Sequence, residues 1–92
     1  MHYTYVLLSE KDGAFYTGYT SDLRKRVQAH AGHQVRSTAY RTPLALVYYE
    51  ACLDPNDALR RERFLKTGKG KRYIKGRLKG HLAVKHDKLE RH

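Results

Sequence analysis

The chain holds one cysteine, Cys52, one methionine, two prolines and no tryptophan in 92 residues. A lone cysteine closes no internal disulfide and is poor material for a structural zinc site. His30-x-x-His33 with Cys52 and His81 has no paired-cysteine spacing beside it and is not read as a metal site. A reducing, cytoplasmic setting is the expectation that follows. Long apolar runs are missing too. The first, from Tyr3 to Ser9, stops at Glu10 and Lys11, too short for a signal peptide and far below the ~20 residues of a membrane span. No membrane address is expected. Acidic residues are scarce, nine against nineteen lysines and arginines, and the net charge is +10. A polyanionic partner relieves the self-repulsion of such a chain, so nucleic acid is the first partner to expect. A basic surface kept for solubility, or a ribosome- or RNA-associated protein without chemistry, is the reading that charge alone leaves beside it.

Against these absences stand 40% hydrophobic residues and eight tyrosines, which describe a folded chain and not a basic disordered arm. The length suits one domain with one small core, placed at residues 1–80, with 81–92 as a basic, flexible tail. Residues 3–9 read as a strand that ends at the hairpin signal Asp12-Gly13, and AFYTGY returns as a second. With those two residues alone in the turn, Ser9 falls opposite Tyr16, and Tyr3, Tyr5, Tyr16 and Gly18 share a face. Ser21 is the expected N-cap of a first helix running to about Ala31, with Gly32 at its exit. Residues 32–43 show no periodicity and read as a loop. PLALVYYEA (43–51) is the third strand, alternating Leu44, Leu46 and Tyr48 against Ala45, Val47 and Tyr49. Asp54-Pro55 opens a second helix over about 55–67, interrupted by Gly68 and Gly70, and 71–78 form a short third. The order ββαβαα with antiparallel pairing implies an α+β fold, a three-stranded antiparallel sheet flanked by helices.

Several polar residues occupy places where apolar ones belong. At about 100° per residue, Leu23, Arg26, Val27 and His30 fall within one arc of the first helix, so a guanidinium and an imidazole lean toward the sheet. In the second helix Glu62 falls on the stripe of Ala58 and Leu65. Charges so placed cost several kcal/mol unless paired, hydrogen-bonded or metal-bound. Each has an ordinary explanation, a buried ion pair of Arg26 with Glu62 or a satisfied core histidine. Together they put two phenols, a guanidinium, an imidazole and a carboxylate on one sheet face of a very basic protein, the mixture that phosphodiester chemistry requires.

On these residues the chain resembles the GIY-YIG nuclease superfamily. Tyr3-Thr4-Tyr5 stands where the family has its first motif and Tyr16-Thr17-Gly18 where it has its second. Arg26 stands at the family's arginine, His30 at its His/Tyr position, and Glu62, in RRERFLK, at its metal-binding glutamate. The match runs from residue 3 to about 78. It looks closest to the small stand-alone branch related to the N-terminal nuclease domain of the excision-repair endonuclease. The resemblance implies a divalent-metal-dependent endonuclease acting on DNA, branched or damaged DNA included, in repair or processing. Its catalytic residues would be Tyr5, Tyr16, Arg26, His30 and Glu62. Glu62 would hold Mg²⁺ or Mn²⁺, Arg26 would clamp the phosphate, Tyr5 or Tyr16 would act as base, and Gly18 would permit close backbone approach. Arg24, Lys25, Arg36, Arg41, Lys66, Lys69, Lys71 and Arg72 are the expected phosphate-tracking cations. The Asn that some relatives place after the glutamate has no counterpart in KGKRYIK. This favours the alternative, a catalytically weak or inactive DNA- or RNA-binding module of the same fold. A domain of this size is expected as a monomer or weak homodimer.

Overall fold

The Asp12-Gly13 signal turns the chain in the computed structural model, which describes residues 1–32, 34–41 and 43–90, the side chains of Arg36, Ser37, Tyr40 and 85–90 excepted. Strands β1 (His2–Ser9) and β2 (Phe15–Thr20) pair antiparallel. Gly13 takes a φ of 72°, a left-handed conformation that costs glycine nothing. The register is not the one expected. Leu7, and not Ser9, lies opposite Tyr16, and Tyr5 lies opposite Gly18. The cause is Ser9, whose buried hydroxyl donates to the Arg41 carbonyl at 2.6 Å and accepts from the amides of Lys11 and Asp12. The Asp12 carboxylate meanwhile accepts from the Ala14 amide at 2.9 Å. The turn therefore takes in residues 10–13, and Ser9 pairs with Ala14 through its own amide. A slip of two residues conserves the side-chain alternation, so Tyr5, Tyr16 and Gly18 still share a face.

Strand β3 (Leu44–Cys52) pairs antiparallel with the other edge of β1, giving the order β2-β1-β3. Its pairing shifts between Val6 and Leu7, which face Tyr48 and Leu46, and Val47 is the extra residue of a bulge. The expected grouping of Leu46 with Tyr48 is thereby broken: Tyr48 joins the face of Val6, and Leu46 that of Leu7. Both Val47 and Tyr48 pack against the core of Val6, Leu65 and Ile74.

The first helix, α1 (Leu23–Ala31), is capped by Asp22, one residue past the expected Ser21, whose carboxylate accepts from the Lys25 amide. Residues Arg36–Arg41, in the stretch read as a loop, form a 3₁₀ helix. Helix α2 (Pro55–Leu65) starts on the Asp54 cap with Pro55 in its first turn. Helix α3 (Gly68–Arg77) begins earlier than residue 71, capped by Thr67, and so takes in the two glycines expected to form a connection. Gly70 is buried because the last turn of α2 lies against it. Residues Lys79–Glu90 form a further helix, α4, where weak periodicity predicts none. None of the described helices is long and apolar enough to cross a membrane.

Strand β1 is buried from Thr4 to Ser9, and its two faces meet different partners. The Thr4 hydroxyl donates to the Ala58 carbonyl of α2 at 2.6 Å, and Val6 clusters with Leu65 of α2 and Ile74 of α3. Burying each of these aliphatic side chains contributes about 2 kcal/mol, enough to hold α2 and α3 on that face. Tyr5, pointing the other way, meets α1.

Candidate active site

Tyr5 and His30 are both buried, at 3% and 5% exposure, and their polar ends meet: the phenol oxygen lies 2.9 Å from His30 Nε2. Arg26, one turn earlier on α1, donates its Nε–H to the same phenol oxygen at 3.3 Å. The other imidazole nitrogen, Nδ1, lies 2.7 Å from the Thr38 hydroxyl, which itself donates to the Val35 carbonyl. These contacts fix a direction. With the Thr38 proton on Val35, His30 donates from Nδ1 and presents a bare Nε2; Tyr5 donates to it, leaving the phenol's lone pairs to Arg26. Burial, and then the positive charge of Arg26, lower the pKa of His30 from its ordinary value and keep the ring neutral.

This chain forms one wall of a cavity of about 440 Å³ that also takes in Tyr16, Gly18, Glu62, Lys66 and Lys71. Gly18 lies directly under the Tyr5 ring. A Cβ there would fall 2.5 Å from Tyr5 Cζ and closer still to its hydroxyl. The glycine is thus required by the tyrosine that faces it across the hairpin. Glu62 enters from α2, its side chain 20% exposed, with Lys66 Nζ 3.6 Å from Oε2. Ala58 and Leu65 of the same stripe are fully buried, so the stripe itself turns the carboxylate inward. The roll of α2 is also set from its far side. Arg61 makes two hydrogen bonds to Glu50 of β3, at 2.8 and 2.7 Å, while its guanidinium lies over the rings of Phe64 and Tyr73. Arg61 holds the Glu50 carboxyl below its ordinary range, and burial is the main cause that pushes the Tyr48 phenol, bonded to the same carboxylate, upward.

All five residues singled out as catalytic therefore line one cavity, but in unequal settings. Arg26 is largely exposed and forms no ion pair with Glu62. Tyr16 lies apart from the Tyr5–His30 chain, donating to Asp12 at 3.1 Å; the Ala14 amide keeps that carboxyl below its usual pKa. Among the expected phosphate-tracking cations, Lys66 and Lys71 line the cavity and Lys25 borders it beside Arg26. Lys69 and Arg72 are exposed on α3, and Arg24 lines a second groove. Arg41 pairs with Asp12 at 3.4 Å. The Arg36 side chain and His33 lie outside the described residues. No three His, Cys, Asp or Glu side chains gather among the described residues, so Glu62 is the carboxylate available to a cation here. That donor set suits Mg²⁺, which keeps most of its waters and takes one or two carboxylates with a substrate phosphate.

Sequence reading missed Thr38 and the Glu50–Arg61 pair. Thr38 sits in an aperiodic stretch and offers no pattern to find it by. The ion pair joins a strand to a helix across a separation that neither element's periodicity reports.

A model of the GIY-YIG catalytic domain matches residues 1–75. The chain belongs to the GIY-YIG family. Its relatives in that family are UPF0213 proteins. One from Lacticaseibacillus paracasei is 47% identical over 62 residues, 66% of this chain and 68% of the relative. Another, from Halobacterium salinarum, is 42% identical over 67 residues, 72% of this chain and 86% of the relative. The solution NMR structure of a UPF0213 protein from Bacillus halodurans superposes with a TM-score of 0.50 at 36% identity, over 79% of this chain and 80% of that one. The GIY-YIG match ends just inside the end of α3, so the sheet and all the cavity-lining residues fall within it and α4 does not.

Proposed function

We propose that this GIY-YIG protein is a divalent-metal-dependent endonuclease that hydrolyses DNA phosphodiester bonds, in repair or a related processing step. The observation that carries the reading is the directed chain Arg26–Tyr5–His30–Thr38 in the cavity that holds Glu62. Tyr5 passes its phenol proton to His30 Nε2 and takes one from the attacking water. Between those transfers its oxygen is held by two donors, His30 Nε2–H and Arg26 Nε–H. Arg26 keeps its terminal amino groups for the phosphate, a geometry that suits its planar fork. Mg²⁺ or Mn²⁺ on Glu62 supplies Lewis-acid stabilisation of charge on the phosphate and the departing oxygen. Lys66, released from Glu62, and Lys71 neutralise flanking phosphates. Tyr16, tied to Asp12, takes a positioning role at the cavity mouth.

Glu62→Gln keeps the shape and removes the charge. Cleavage of linear, nicked and branched DNA is expected to fall at least about a hundredfold and to be lost in chelator, with the circular dichroism spectrum unchanged. Metal-independent cleavage that survives the substitution overturns the assignment. Nucleic-acid binding with no cleavage by the wild type establishes the binding-module alternative.

His30 also sets a pH dependence. A neutral imidazole is needed to accept the Tyr5 proton, and its folded-state pKa is lowered, by burial and then by Arg26. Cleavage is therefore expected to fall on the acid side only below the ordinary histidine range near 6.5. Arg26→Gln removes one cause and moves that acid limb upward, whatever it does to the maximum rate. Stability carries the same sign. As pH drops below about 6.5 the unfolded chain takes up a proton that the native protein resists, so stability falls, and His30→Gln removes that slope from denaturant titrations.

A further inference from the structure

On the β3 side of α1 lies a second groove, of about 510 Å³, with Tyr3 and Tyr49 on its sheet wall. The two rings meet edge to face, 6.2 Å between centroids at 60°, and Tyr49 is 54% exposed although it sits directly opposite Tyr5 in the sheet. Leu46, which the β3 bulge turns to this face, is 37% exposed beside it. An exposed ring and an exposed leucine here have no core to serve, and Arg24 on the rim gives the groove the sign that suits an anion.

The groove also connects with the catalytic cavity. A shallow depression at the N-terminal end of α1 shares Arg26 with the cavity and Asp22 with the groove, and Lys25 lies in it. The one acid on this path, Asp22, is engaged by the Lys25 amide at 3.1 Å. A strand leaving the cavity thus passes Arg26, Lys25 and Arg24 in turn before reaching Tyr49. Because α1, a cylinder ~10 Å across with its side chains, stands between the two sites, a stiff duplex cannot occupy both. A single strand bends round the helix end.

We propose that this groove seats an unpaired base of the strand being cut, stacked on Tyr49, so that the preferred substrate carries a single-stranded flank beside the scissile bond. The proposal rests on the phosphodiester reading of the neighbouring cavity, and binding in chelator tests it apart from cleavage. By fluorescence anisotropy, Tyr49→Ala is expected to weaken binding of a duplex with a single-stranded overhang about tenfold. Binding of a blunt duplex stays unchanged, and Tyr49→Phe, which keeps the ring, binds like wild type. Equal losses on both DNAs, or none, overturn the proposal. So does sedimentation showing self-association that Tyr49→Ala abolishes, which would make the groove an interface between copies. If the overhang result holds while Glu62→Gln still cleaves, the groove stands and the catalytic assignment falls; the reverse pattern separates them the other way.

Discussion

Tyr5→Phe is expected to lower the single-turnover cleavage rate by about 10²- to 10⁴-fold while DNA binding in chelator stays near wild type. The ring remains in its buried place over Gly18, so packing is conserved. What is lost is the one oxygen that touches both Arg26 and His30. No neighbour substitutes for it, because Tyr16 is turned to Asp12 at the hairpin end. His30 Nε2 is left without its donor in a buried site, and stability should fall by about 1–2 kcal/mol, which a thermal melt reads separately from the rate. Tyr16→Phe is the control: it gives up a hydrogen bond on an exposed carboxylate and should cost less than about tenfold in rate. If Tyr16→Phe proves the more damaging of the two, the base has been assigned to the wrong tyrosine.

Gly70→Ala is expected to be the most destabilising single-methyl change in the molecule, about 3 kcal/mol, for a reason no helix propensity contains. Alanine at a helix position is ordinarily preferred over glycine. Here the added Cβ would fall 2.5 Å from the Leu65 Cα and still nearer the Phe64 carbonyl oxygen, both backbone atoms of α2 that cannot swing aside. Helices α2 and α3 would have to separate, loosening Ile74 from Leu65 and moving Glu62 and Lys71 together. A domain of this size should lose more than about 10 °C in Tm. Gly76→Ala, later in the same helix with nothing near its Cβ position, should instead gain about 0.5–1 kcal/mol. Equal effects at the two glycines would show that the close approach of α2 and α3 is not a constraint in solution.

The contrast between these glycines shows where a sequence stops being readable. Gly68 and Gly70 look like a break between helices, and local propensity supports that view. Only the partner backbone reveals that Gly70 is inside a helix and cannot be anything else. Thr38 is a parallel case at the site: its stretch has no periodicity, so nothing marks it until the 3₁₀ helix delivers its hydroxyl to His30 Nδ1. The Val47 bulge is another, since strict alternation along β3 misplaces Tyr48 and Leu46 until the pairing with β1 is known.

By itself the sequence determined the elements and the faces they present. Period-two alternation put Tyr5 and Gly18 on one face whether the register was the expected one or two residues away, and period-3.6 recurrence put His30 and Glu62 on buried stripes. These are short-range properties, carried by side chains within one turn or one hairpin. The tertiary structure decided which stripes meet. The hairpin register, the direction of the proton chain from Arg26 to Thr38, the second groove behind α1 and the approach of α3 to α2 all depend on contacts between residues far apart in the chain, whose complementarity no single segment encodes.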